Sequence, residues 1–125
     1  MNNHIVSKEY LQLTEQFEEN NERKRSVRIY SSESFTTWFM ILPPEKNYSL
    51  HKHLSDESFI VIEGNGILKD ESGNTFELKP HSVVCIPANT YYSVSNLSTY
   101  NNLICFGNRA ESAGGPHIKR SEAYE

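Results

Sequence analysis

Between Ser26 and Phe106 the apolar positions fall into short runs, rich in β-branched and aromatic residues and often alternating with polar ones. Such runs predict strands, because alternate side chains of an extended chain share a face. Nine are recognised: Val27 to Tyr30, Phe35 to Leu42, Tyr48 to His53, Phe59 to Ile62, Gly66 to Lys69, Thr75 to Leu78, Val83 to Ile86, Tyr91 to Val94 and Asn102 to Phe106. Turn chemistry separates them at Pro43-Pro44, Gly64-Asn65-Gly66, Glu71-Ser72-Gly73-Asn74, Lys79-Pro80 and Pro87-Ala88-Asn89. Short, evenly spaced strands predict an all-β antiparallel sandwich or barrel. Ahead of them, Ser7 to Asn20 reads as a short peripheral helix capped by Ser7, with Tyr10, Leu11, Leu13 and Phe17 spread too widely for a clean stripe.

Apolar content drops after Gly107, which divides the chain into an N-terminal helical extension (1–25), a barrel (26–107) and a polar C-terminal tail (108–125), read as extended. The length of 125 residues is that of one compact domain. A formal charge of −4 argues against nucleic acid or an anionic membrane, both of which need a basic surface. The one basic cluster, Arg23-Lys24-Arg25 with Arg28, reads as a solvated lead-in to the first strand. The start carries no secretory signal, and no stretch reaches membrane-spanning length. Cys85 and Cys105 sit in apolar strands without metal-ligand spacing, which predicts buried free thiols and a cytoplasmic location.

The chemistry concentrates at His51-Lys52-His53-Leu54-Ser55-Asp56-Glu57. On a strand, His51 and His53 project to one side about 6.6 Å apart, close enough for two imidazoles to converge, while Lys52 points away. A bend at Leu54-Ser55-Asp56 can return the Glu57 carboxylate to the same focus. Two imidazoles and one carboxylate suit one divalent transition metal (Fe, Mn, Ni, Co or Zn) and leave positions open for water or substrate. The plain alternative is that the histidines are packed or surface residues that bind nothing.

These residues also carry a family resemblance. The stretch resembles the first cupin motif, H-x-H, three or four residues, E, six residues, G, in His51, His53, Glu57 and Gly64. Glu45 replaces that motif's opening glycine. The second cupin motif is matched in part: aligned on Pro87 and Asn96, it places His81 and Asn89 where glycines are usual, and Tyr92 where a histidine is usual. The resemblance covers roughly Phe35 to Phe106 and implies a double-stranded jelly-roll barrel with a metal inside its mouth, in a homodimer. The order of helix, basic segment and strands leading to H-x-H also resembles the small cupins of polysaccharide and O-antigen gene clusters. A dimer is further suggested by the Phe35 to Leu42 strand, too continuously apolar to have one wet face.

At Tyr92 three roles stay open: a phenolate ligand to ferric iron, a hydroxyl acting on water or substrate as the catalytic proton-transfer group, or a barrel filler. Tyr91 is expected to face outward. His81 reads as exposed at its turn, His4 and His117 as surface residues of polar ends, His117 with the option of folding back over the barrel mouth, and Trp38, Phe39 and Met40 mainly as core. Two function classes remain open: a metal-dependent enzyme (isomerase or epimerase, lyase or dioxygenase) acting on a small polar metabolite such as a sugar or carboxylate, or a non-catalytic module binding such a ligand through the metal.

Overall fold

The computed structural model describes residues 5–20, 26–111 and 117–119; the basic residues 23–25 and His4 lie outside them. It contains helix α1 (Tyr10–Asn20) and strands β1 (Ser26–Ser31), β2 (Thr36–Leu42), β3 (Asn47–His53), β4 (Glu57–Glu63), β5 (Gly66–Asp70), β6 (Thr75–Leu78), β7 (Val83–Ile86), β8 (Tyr92–Asn96), β9 (Leu103–Arg109) and β10 (His117–Lys119). They form two five-stranded antiparallel sheets, ordered β1-β2-β9-β4-β7 and β10-β3-β8-β5-β6. The main core fills the space between them, with Trp38, Met40, Leu42, Phe59, Val61, Leu68, Leu78, Val94, Leu103 and Cys105 among its members.

Every strand read from the alternation is present, Thr75 to Leu78 and Val83 to Ile86 with the bounds read and the others with shifted ends. The helix starts at Tyr10 rather than Ser7, because Glu9 takes the cap: its carbonyl accepts from Leu13 N–H and its own N–H donates to Gln12 Oε1 at 2.8 Å. β4 reaches back to Glu57, so that residue is itself a strand residue. β9 runs past Gly107 to Arg109. β10 in the tail is an additional strand, paired with β3 so that His117 stands opposite His53.

β2 is apolar on both faces for a reason contained in the chain. Trp38, Met40 and Leu42 point into the main core, whereas Phe39 and Ile41 join a second cluster with Leu13 of α1 and Ile104. Tyr10 meets Phe39 edge-on at 5.9 Å. The helix thus covers the outer face that suggested a partner chain. Cys85 corrects the expectation of two buried thiols: it is exposed on edge strand β7, whose alternation turns Val83 and Cys85 outward. Cys105 is buried, and burial pushes its thiol up to about 12.

Candidate functional site

β3, β4, β8 and β9 carry the candidate residues. The β3–β8 register slips between Tyr48 and His51, and inside that slip the Ser49 carbonyl oxygen lies 2.6 Å from His51 Nδ1. A carbonyl only accepts, so Nδ1 carries the proton, and in the neutral ring Nε2 carries the lone pair. His51 is 2% exposed, stacked on Tyr48 at 4.8 Å and 4.3 Å from the Tyr92 ring. His53, also buried, meets His51 edge-on with ring centroids 5.2 Å apart, the shared face that their spacing predicts. The Asn89 N–H donates to the His53 carbonyl at 2.8 Å and ties the β7–β8 turn to this strand. Lys52 lies on the other side, its ammonium 4.9 Å over the Tyr91 ring, as the alternation predicts for both.

Glu57 comes from the opposite sheet and is 5% exposed. The Tyr92 hydroxyl donates to its Oε1 at 2.6 Å, and Arg109 Nη1 donates to Oε2 at 3.4 Å. Arg109 stands directly opposite Glu57 in the β4–β9 register, and its Nε lies 3.6 Å from Glu111 Oε2. Burial raises the Glu57 carboxyl above its ordinary range, and the bonds from Tyr92 and Arg109 oppose that only in part. Burial, then the Glu57 charge, holds the Tyr92 phenol well above its ordinary value, so it is a neutral donor.

His51, His53, Glu57, Tyr92, Arg109 and Trp38 line one cavity of about 30 Å³, enough for one water-sized occupant. Glu57 and Arg109 also line an open groove of about 470 Å³. Sequence reasoning missed Arg109, although it continues the inward row Leu103, Cys105, Gly107; the glycine read as a strand end. His81 is exposed and apart from this group.

In kind, two imidazoles and a carboxylate suit a divalent transition ion. His51 has the tautomer of a histidine ligand, its other nitrogen donating to a backbone carbonyl. No three His, Cys, Asp or Glu side chains among the described residues are grouped ready to hold an ion. Both Glu57 oxygens are engaged instead by Tyr92 and Arg109.

The fold and this histidine-bearing wall define a double-stranded jelly-roll barrel with a buried polar centre. The chain belongs to the cupin family: the cupin domain model matches residues 38–104, more than half of it. Structural neighbours include DMSP lyase DddQ from Ruegeria pomeroyi DSS-3, with TM-score 0.69, 13% identity and coverage of 80% of this chain and 53% of that one. A cupin-like protein from Thermotoga maritima MSB8 gives TM-score 0.67 and 18% identity over 80% of this chain and 84% of that one. KdgF from a Halomonas species gives 0.61 and 15% over 70% and 79%. Identities this low carry the fold alone, and the chain spans about half the length of the Ruegeria lyase. No curated protein matches the sequence significantly. Among the described residues, no helix is long and apolar enough to cross a membrane.

Proposed function

We propose that this cupin acts on a small polar metabolite, a sugar or a carboxylate, and holds one divalent transition ion on His51, His53 and Glu57. The observation that carries this reading is the convergence of those three side chains and Tyr92 on one buried cavity, with the His51 tautomer fixed by the Ser49 carbonyl. Each Glu57 oxygen accepts one hydrogen bond and has a second lone pair that an ion could take. When bound, the ion supplies Lewis acidity toward a substrate oxygen, or an oxygen site if it is iron.

The chain's own groups do the rest. Tyr92 holds a proton on its hydroxyl oxygen, 2.6 Å from Glu57 Oε1, and would deliver it to a substrate atom bound beside it. The Arg109 guanidinium steadies Oε2 and, lining the open groove, meets incoming polar groups. Isomerisation, epimerisation and lyase chemistry share this need for a positioned proton donor beside an electrophile.

A second reading, a non-catalytic module that binds its ligand through the metal, is favoured by the Tyr92 phenol, whose proton burial and the Glu57 charge hold firmly. The two readings share a cytoplasmic location, supported by two free cysteines, and a homodimer. With the outer face of β2 covered by α1, support for the dimer moves to the half-exposed Tyr30 and Phe35, in contact at 5.4 Å beside edge strand β1. The test is elemental analysis of the purified protein followed by a thermal-shift screen of sugars and carboxylates, since binding to the folded state raises the midpoint. Product formation from a ligand that binds selects the enzyme; binding without turnover selects the module.

A further inference from the structure

β6 and β7 follow one another along the chain but belong to opposite sheets. The turn from Lys79 to Ser82 carries the backbone across, and each strand is an outer edge of its own sheet. No ladder joins them, so the barrel is open along this side.

Alternation fixes what faces the opening. On β6, Phe76 stands opposite Leu68 and Leu78 opposite Gly66, so both share the inner face with Leu68, a core residue. On β7, Val84 and Ile86 stand opposite Phe59 and Glu57 and turn inward as they do. Leu68, Leu78 and Ile86 are buried, yet Phe76 is 50% exposed. A large apolar ring on the inner face of a sheet is ordinarily covered, and this one borders open space. Between the two edges lies a cavity of about 610 Å³, walled by Phe76, Leu68, Leu78, Val84, Ile86 and Tyr92.

Size, charge and composition together say what fits. The volume lies within the range of about 300 to 1,000 Å³ usual for small-molecule sites. No Lys, Arg or His is among the described residues that line it, whereas Asp70 and Glu77 are. Glu77 pairs with Lys79 at 3.9 Å. The Asn74 side chain and the N–H groups of Asn74 and Ser72 hold the Asp70 carboxyl below its ordinary range, so it stays an anion. An anionic ligand would find no partner here and would meet like charge. The chain also lacks a plug of its own: in residues 1–4, 21–25, 112–116 and 120–125, Met1 and Tyr124 are the large apolar side chains.

We propose that this cavity is a binding site for a small uncharged molecule with an aromatic or aliphatic body, which lies against Phe76 and Val84 and reaches inward to Leu68, Leu78 and Ile86. The site needs no metal, goes beyond the functional reading above and does not rest on it. Tyr92 lines both this cavity and the one that holds the histidines, and is the residue the two spaces share.

Two fluorescent probes with one ring body between them provide the test: neutral N-phenyl-1-naphthylamine, and 8-anilino-1-naphthalenesulfonate, which adds a sulfonate. Each is titrated into the purified full chain, into Phe76→Ser, which removes the ring at the mouth, and into Val84→Phe, which fills the space. Phe76 is half exposed, so its replacement is expected to leave a cooperative melt. The neutral probe is expected to bind the wild type saturably, one per chain, with enhanced and blue-shifted emission. Each variant is expected to bind it at least about tenfold more weakly, the scale of one lost aromatic contact. The sulfonate probe is expected to bind the wild type at least about tenfold more weakly than the neutral one, the scale of one unfavourable charge contact.

A wild type that shows no saturable binding of the neutral probe overturns the proposal, as does equal affinity in Phe76→Ser or a preference for the sulfonate. One probe per two chains would place the apolar space between copies of the chain and overturns it as well. If one variant does not fold, the other variant and the comparison of probes decide. Elemental analysis of the same samples keeps the two readings apart: probe binding by a chain that holds no metal upholds this site while the metal reading fails, and a metal-loaded chain that binds no probe does the reverse.

Discussion

Burial disfavours a charged carboxylate unless its donors repay the lost water, and Glu57 is held where they do so only in part. Its folded-state proton affinity lies above the ordinary value of 4.5. Between 4.5 and that raised value, the folded protein binds more protons than the unfolded chain, so the contribution of Glu57 to stability grows as pH falls. In metal-free protein, wild type is expected to gain stability relative to Glu57→Gln on acidification from neutral pH, a difference read by denaturant titration at several pH values. A gap independent of pH contradicts the raised proton affinity. Tyr92→Phe removes the 2.6 Å donor from that carboxylate and is expected to cost about 1.5 to 3 kcal/mol of stability, while leaving metal content intact if the phenol acts as a neutral donor. Loss of metal in this variant would return Tyr92 to the ligand role. His51, His53 and Glu57 were legible because spacing of two on a strand and a short bend are simple geometry. Arg109 was not, because nothing local shows that Gly107 makes room for the Trp38 ring, which a Cβ there would overlap, instead of ending a strand.

At the scale of elements, the departures from the cupin motifs acquire a physical meaning. Among the described residues, the non-glycine positions with positive φ are Glu45 (65°), His81 (77°) and Asn89 (66°), the three places where those motifs carry glycine. The turns have kept the left-handed backbone after losing the residue that adopts it freely. Glu45→Gly and His81→Gly are each expected to raise stability by about 0.5 to 1 kcal/mol, the steric relief reduced by the entropy glycine adds to the unfolded chain. Asn89→Gly is expected to change little, because asparagine tolerates this region. Thermal melts of the three variants check the order. Gly64 keeps its glycine at φ 94°, where a Cβ would overlap the Asn102 carbonyl. The motif's closing asparagine, Asn96, is buried and donates to the carbonyls of Leu42 and Asn101, pinning the β8–β9 loop. Strand positions were readable from alternation; what covered β2 was not, since α1 has no clean apolar stripe and docks mainly through Leu13, with Tyr10 and Phe17 at its margin. Leu13→Asp is expected to undock the helix, seen as faster proteolysis within residues 10–20 and as self-association through the uncovered Phe39 and Ile41, with the site residues undisturbed.

For the whole molecule, the two sheets bring donors that are distant in sequence to one buried centre: β3 and β8 supply His51, His53 and Tyr92 from one side, and β4 and β9 supply Glu57 and Arg109 from the other. A jelly-roll does this by topology, which is why the class of fold was readable from strand count and turn chemistry while the tail strand β10 was not: a polar segment shows no alternation to read, and its pairing with β3 is a backbone matter. The dimer belongs at this scale, and sedimentation at micromolar concentration is expected to show two chains; a monomer removes the dimer and leaves the site as described. Everything proposed for the metal turns on whether His51 and His53 hold one. The direct measurement is metal content per chain, by elemental analysis, in purified wild type and in the His51→Ala, His53→Ala double variant, with folding of both verified by melting. Close to one transition-metal ion per wild-type chain is expected, and almost none in the double variant; a folded double variant that retains stoichiometric metal, or a wild type that takes up none when offered Fe, Mn, Ni, Co and Zn, contradicts the metal site.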